Sequence, residues 1–113
     1  MKNLRNTVKL IGHLGNEPTI KKFKNGSQKA ILILATNESY KKLNGEYKIT
    51  TQWHTLIVKD ALVDIVEKYV KKGMQLSING RLISKSWKDK TGKSNYRTEI
   101  EVSELLMLNQ MIA

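Results

Sequence analysis

The chain contains no cysteine, so no disulfide framework, thiolate nucleophile or cysteine-ligated zinc or iron–sulfur site can be built from it. Histidine is nearly as scarce, with His13 and His54 the whole supply and no His-x-x-x-His or similar ligand spacing. No metal or cofactor is therefore expected. Apolar runs of membrane-spanning length are missing, and Met1-Lys2-Asn3-Leu4-Arg5-Asn6 lacks the continuous apolar stretch of a signal peptide. The expectation is a soluble, cytoplasmic chain. Acidic residues are in short supply: ten Asp and Glu stand against twenty Lys and Arg, a net charge of +10 over 113 residues. Such an excess repels itself unless a polyanion offsets it. An anionic membrane is the rival to nucleic acid, but membrane-surface chains carry a basic amphipathic helix, and the basic residues here lie mainly in strands and turns.

What the chain does have is one composition repeated three times, an aromatic residue beside lysines at a Gly-containing turn. The segments are Phe23-Lys24-Asn25-Gly26, Tyr40-Lys41-Lys42-Leu43-Asn44-Gly45 and Trp87-Lys88-Asp89-Lys90-Thr91-Gly92-Lys93. Flat π-faces next to cations suit a polymer of stacked bases on a phosphate backbone.

At this length one core is expected, as a single domain over residues 1–113. Leu4 to Gly15 alternates and breaks at Gly12 and Gly15, the mark of a curved first strand. Pro18 excludes a regular central strand, and Asn25-Gly26 turns the chain into a second strand over Lys29–Glu38. Asn44-Gly45 leads into a third, from Tyr47 to Val58. Over Asp60–Lys72 the period changes: Leu62, Ile65, Val66, Tyr69 and Val70 make one apolar helical face, with Asp60 as N-cap and Gly73 as the left-handed terminator. Met74–Ser86 and Asn95–Leu108 follow as fourth and fifth strands around a turn at Asp89–Ser94. This order describes an all-β fold, a five-stranded Greek-key barrel of the oligonucleotide/oligosaccharide-binding (OB) type with one α-helix between strands three and four. An open α+β sheet with the same order is the alternative.

Strand alternation sorts the side chains. Trp53 shares a face with Tyr47, Thr51 and Thr55, away from Leu56 and Val58; Trp87 shares a face with Arg81 and Lys85, opposite Met74, Leu76, Ile78 and Leu82. Both tryptophans are read as stacking residues, with packing across the sheet as the alternative for Trp53 and core packing for Trp87. Tyr40, beside Lys41 and Lys42, is read the same way against a strand-end packing role. Tyr69 and Tyr96 are assigned to the core, and Phe23 is open between the two readings. The second strand is apolar on both faces, Ala30, Leu32 and Leu34 on one and Ile31, Ile33 and Ala35 on the other, yet a small barrel buries only one. A subunit interface at Ile31 and Ile33, with His54 at its margin, would cover the second. Glu99 and Glu101 share a strand face and read as solvated positions paired with lysines rather than as a two-metal nuclease site. Gly12 and Gly15 lack the spacing and following helix of a phosphate loop. No enzymatic activity is expected; a metal-dependent nuclease and an RNA-binding or primosome-type OB module are the alternatives.

Asn6-Thr7-Val8-Lys9-Leu10-Ile11-Gly12-His13-Leu14-Gly15-Asn16-Glu17-Pro18, Ala35-Thr36-Asn37-Glu38-Ser39-Tyr40, Thr51-Gln52-Trp53-His54, Tyr69-Val70-Lys71-Lys72-Gly73, Ile78-Asn79-Gly80-Arg81-Leu82, Trp87-Lys88-Asp89 and Tyr96-Arg97-Thr98-Glu99 run in order through nearly the whole chain. Together they strongly resemble the bacterial single-stranded DNA-binding protein family. The resemblance implies an OB-fold that assembles as a dimer of dimers, a homotetramer, and wraps single-stranded DNA without base-specific readout during replication, recombination and repair. It places the family's stacking aromatics on Tyr40, Trp53 and Trp87, its fourth stacking position on Lys59, and its interface histidine on His54. Lys41, Lys42, Lys48, Lys59, Arg81, Lys85, Lys88 and Lys90 are then the candidate phosphate contacts. Family members extend into a flexible tail with an acidic, apolar tip that recruits replication and repair enzymes. Leu108-Asn109-Gln110-Met111-Ile112-Ala113 does not carry that tip, so such recruitment is not expected of this sequence.

Overall fold

The computed structural model of the chain describes residues 5–108. Leu4, where the first strand was expected to begin, and residues 109–113 lie outside them. The elements are β1 (Val8–Leu14), β2 (Thr19–Lys22), β3 (Gln28–Lys41), β4 (Tyr47–Lys59), α1 (Ala61–Tyr69), β5 (Gln75–Lys88) and β6 (Ser94–Met107). β1 pairs with β5 along Val8–His13 and then crosses to β3 at His13 and Leu14. The order β1-β5-β6-β4-β3 thereby closes on itself as a five-stranded barrel, β4 and β6 running parallel through Leu56/Ile100 and Ile57/Glu101. The closed barrel excludes the open-sheet alternative.

β2 is a four-residue addition to the expected order, an edge strand laid on Gln28–Ile31 of β3 just after Pro18. Three turns share one construction, at Phe23–Ser27, Lys42–Glu46 and Asp89–Lys93. In each, the first residue's N–H donates to the fifth residue's carbonyl, and the glycine's N–H donates back to the first. Gly26, Gly45 and Gly92 take φ of 90°, 89° and 84°, the left-handed conformation that closes a three-residue hairpin.

The barrel interior is filled by Leu14, Ala30, Leu32, Leu34, Leu56, Val58, Leu76, Ile78, Ile100 and Val102, with Val63, Val66 and Val70 from the α1 segment. Ser103 on β6 is left over where Asn79 faces Glu104 and Gly80 faces Val102; its Oγ donates to the Asn79 carbonyl at 3.1 Å. This bulge resets the alternation, so that Val102 and Leu105 both turn inward.

α1 departs from its expected form. It stops at Tyr69, because Val70 is extended and buried, and Gly73 serves a later turn instead of terminating the helix. The buried stripe is Leu62, Val63, Val66 and Val70, whereas Ile65 and Tyr69 face outward. Asp60 makes no side-chain cap: its N–H donates to the Gln28 carbonyl, its φ is 54°, and Gln28 Nε2 bonds both its carbonyl and Asp64. Tyr96 and Leu82, expected inside, are 77% and 49% exposed. Tyr96 lies on the β5–β6 hairpin beyond Ile100, the core residue of β6 nearest the hairpin tip, whereas Leu82 stands opposite Ile100 and is covered only in part.

Candidate nucleic-acid interface

Alternation and register place one set of side chains on the outer face of β2, β3, β4, β6 and β5. Lys29 stands opposite Lys59, Ile31 opposite Ile57, Ile33 opposite Thr55 and Ala35 opposite Trp53 on β3 and β4. Lys21 faces Lys29, and Arg81, Ile83, Lys85 and Trp87 face Glu101, Glu99, Arg97 and Asn95. The face is an apolar floor of Ile31, Ile33 and Ile57 bounded by two tryptophans and a belt of cations.

Trp53 is 63% exposed. Its ring lies over Gly15, where any Cβ would stand 2.6 Å from the ring's Cζ3, so the missing side chain at Gly15 makes room for the ring. Trp87 is 46% exposed, with the Arg97 guanidinium 5.4 Å from its ring centroid, a cation–π distance. Tyr40, opposite Lys48, is half-exposed on the reverse side of the β3–β4 ribbon from Trp53, while Tyr47 is exposed on Trp53's side. Two of the three expected stacking residues thus share a face and the third does not. Phe23 is also half-exposed.

The expected phosphate contacts divide by their partners. Lys41, Lys42, Lys48, Lys88 and Lys90 are exposed at the tips and flanks of the two long hairpins, and none pairs with a carboxylate among the described residues. Lys59, Arg81 and Lys85 do. Glu99, expected to be solvated, is 2% exposed; Arg97 Nε lies 3.0 Å from its Oε2, and Lys85 Nζ lies 3.5 Å from its Oε1, which makes no hydrogen bond. A buried carboxylate needs such cations, because its desolvation is otherwise uncompensated. Glu101 holds Lys59 at 3.2 Å through Oε2 and Arg81 at 3.2 Å through Oε1. The hydrogen bond from Lys59, then that from Arg81, keeps the Glu101 carboxyl below its ordinary value against the opposing effect of burial. Partial burial, with Lys85 and Lys21 nearby, holds the Lys29 ammonium below its usual value, Glu99 opposing.

The turn between β5 and β6 is ordered by Asp89, whose carboxylate accepts from the Thr91 hydroxyl, the Asn95 amide and the N–H groups of Thr91 and Lys93. Those bonds, the Thr91 hydroxyl first, lower its carboxyl pKa. Ile31 and Ile33 lie beside Trp53 on the outer face, whereas His54 points the opposite way, its Nε2 3.0 Å from Thr36 Oγ1. The three expected interface residues are therefore not brought together. Sequence reasoning passed over Gly15, Lys29 and Arg97; the turn at Asp89–Lys93 sets the register that puts Arg97 opposite Lys85, so that signal was present. Among the described residues no group of three or more His, Asp or Glu stands close enough to hold a metal, and no helix is long and apolar enough to cross a membrane.

A closed five-stranded barrel with a helix between β4 and β5, carrying half-exposed tryptophans among cations on its outer face, defines an OB-fold of the oligonucleotide-binding class. Residues 5–108 match the model of the Single-strand binding protein family, and the chain belongs to that family. It is 42% identical over 104 residues to the Single-stranded DNA-binding protein 1 of Chlorobaculum tepidum, which covers 91% of this chain and 64% of that protein. It is 42% identical over 97 residues to the Single-stranded DNA-binding protein of Rhizobium meliloti, covering 84% of this chain and 56% of that one. The chain thus spans about three-fifths of the length of these relatives. Among solved structures, the Plasmodium falciparum SSB in complex with ssDNA superposes with a TM-score of 0.84 at 35% identity, over 96% of this chain and 98% of that one. The single-stranded DNA binding protein of Thermus aquaticus, as a deletion mutant, shares the fold with a TM-score of 0.81 at 20% identity, over 92% and 50%.

Proposed function

We propose that this chain binds single-stranded DNA without reading its sequence and shields it during replication, recombination and repair, as a binding protein and not an enzyme. The observation that carries this reading is the placement of Trp53 and Trp87, both half-exposed or more, on one face with Lys21, Lys29, Lys85 and Arg97. Bases unstacked from a duplex gain about 1–3 kcal/mol each on such rings. A paired duplex offers its phosphates and hides its base faces, so it would gain the charge contribution without the stacking. Tyr47 extends the aromatic track along the β3–β4 ribbon, Tyr40 offers a further ring on the ribbon's reverse side, and Lys41, Lys42, Lys48, Lys88 and Lys90 supply phosphate contacts on the two long hairpins.

Competition against a labelled oligo-dT tests this. Unlabelled single-stranded DNA of any composition should displace the label at least ten-fold better than duplex of equal length. Equal competition by duplex would overturn the reading, preference for RNA would favour the RNA-binding alternative, and Mg²⁺-dependent loss of the labelled strand would favour a nuclease. The resemblance also carries a dimer of dimers and association with the nucleoid; exposed Ile11, Leu106 and Met107, on β1 and β6, supply apolar surface that assembly would cover.

A further inference from the structure

The two carboxylates of the outer face differ in setting. Glu99 is sealed from water, and its cations offset a buried charge. Glu101 is wet: its side chain is 26% exposed, and those of Lys59 and Arg81 are 51% and 58% exposed. Ion pairs in such surroundings contribute between nothing and about 1 kcal/mol to stability. Stability therefore does not account for this arrangement of three charged side chains from three strands. The geometry describes something else. Each oxygen of Glu101 is engaged by a different cation, Oε2 by Lys59 Nζ at 3.2 Å and Oε1 by Arg81 Nη2 at 3.2 Å, with Arg81 Nε at 3.4 Å. Two cations closing on the two oxygens of one anion is how a backbone phosphate would be held. All three side chains lie on the face that carries Trp53, with Lys59 and Trp53 on the same side of β4 and roughly 20 Å apart at about 3.3 Å per residue.

We propose that Glu101 is an internal stand-in for phosphate: in the free protein it occupies Lys59 and Arg81, and so limits both the affinity of the face for a strand and its sensitivity to salt. Glu101 is thus a positioning residue that acts through two cations. The inference rests on the strand-binding reading above. A cation already neutralised by a carboxylate neutralises no phosphate and so releases no counterion from the strand; with Glu101 between them, Lys59 and Arg81 deliver one net charge where they could deliver two. Converting Glu101 to an uncharged residue releases one to two phosphate contacts. At a slope of about −0.7 per phosphate on a single strand, log K against log salt should steepen by about 0.7 to 1.4. Near 0.2 M salt this corresponds to binding about three- to ten-fold tighter.

The test is anisotropy of labelled oligo-dT with the full chain at several salt concentrations, comparing the unmodified protein with Glu101→Gln and with Glu101→Thr, a strand-favouring second choice should the glutamine variant fold poorly. Glu67→Gln is the charge-matched control, since Glu67 pairs with Lys22 at 3.6 Å on the helix side. Either Glu101 variant should bind more tightly with a steeper slope, Glu67→Gln should leave the slope unchanged, and adding Lys59→Gln to Glu101→Gln should take back about 0.7 of that steepening. Unchanged or weaker binding by both Glu101 variants would overturn the inference, as would an equal gain from Glu67→Gln, which would assign the effect to net charge. Absence of any binding by the unmodified chain would overturn the strand-binding reading and this inference with it; binding by the unmodified chain with the Glu101 variants unaltered overturns this inference alone.

Discussion

Trp87 and Lys88 are neighbours in sequence and project from opposite sides of β5, so replacing each by Ala separates what a ring does from what a charge does. Trp87 is about half exposed under the Arg97 guanidinium. Its removal deletes one stacking platform, about 1–3 kcal/mol, which weakens binding by roughly 5- to 150-fold. Arg97 stays tied to Glu99 at 3.0 Å, so the charge of the face is unchanged and few counterions are gained or lost. The salt slope of Trp87→Ala should therefore match that of the unmodified chain within about 0.3. Lys88 has no carboxylate partner among the described residues, so Lys88→Ala removes about one phosphate contact. It should flatten the slope by about 0.7 and weaken binding about three-fold near 0.2 M salt, equally for all sequences. Anisotropy of a labelled oligo-dT, repeated at four or five salt concentrations, reads both quantities. If the two variants moved slope and affinity in the same proportion, the division of labour between aromatic faces and cations would be wrong.

Gly12→Ala should lower the melting temperature by about 10 °C or more: its Cβ would stand 2.2 Å from the Ala35 carbonyl oxygen, a backbone atom that no rotamer change can move, and overpacking of this kind costs about 1–3 kcal/mol or more. A melting temperature within 2 °C of the unmodified chain would contradict the close crossing of β1 over β3. Acid should destabilise the fold: the depressed carboxyls of Glu101 and Asp89 contribute stability that is complete above their unfolded values of 4.5 and 3.8 and is lost as pH falls through the folded ones. The urea midpoint is therefore expected to be level above about pH 5 and to fall below about pH 4.5, and a midpoint rising on acidification would refute the assignment. Light scattering at micromolar concentration should return four times the 12.9 kDa chain mass, and a monomer mass would refute the dimer of dimers.

Much of the barrel is legible in local chemistry. The Asn-Gly pairs mark two of the three hairpin turns, and the change from a period of two to one near 3.6 after Asp60 marks α1. What escaped was decided by tertiary placement. α1 has apolar residues at 62, 63, 65, 66, 69 and 70, enough for two candidate stripes, and only its seat on the barrel selects Val63 and Val66 over Ile65 and Tyr69. The bulge at Ser103 has no glycine or proline on its own strand; the only local mark is Gly80, facing it from β5. Alternation identified Trp53 and Trp87 correctly as outward-facing because both strands are regular there. It failed for Tyr96, where the hairpin has run past the core, and for Leu82, which pairs with Ile100 at the core position nearest the hairpin tip and is covered only in part. Glu99 reads as solvent-exposed until the register brings Lys85 of β5 against it, beside Arg97 of its own strand.

The central claim, that bases stack on Trp53 and Trp87 of the outer face, is tested most directly by tryptophan fluorescence. Saturating oligo-dT should quench the emission strongly, and Trp53→Ala and Trp87→Ala should each retain part of that quench through the remaining ring, while inorganic polyphosphate, which has charge and no bases, should leave it nearly unchanged. Emission unaltered at saturating oligonucleotide, or quenched as much by polyphosphate, would contradict the account.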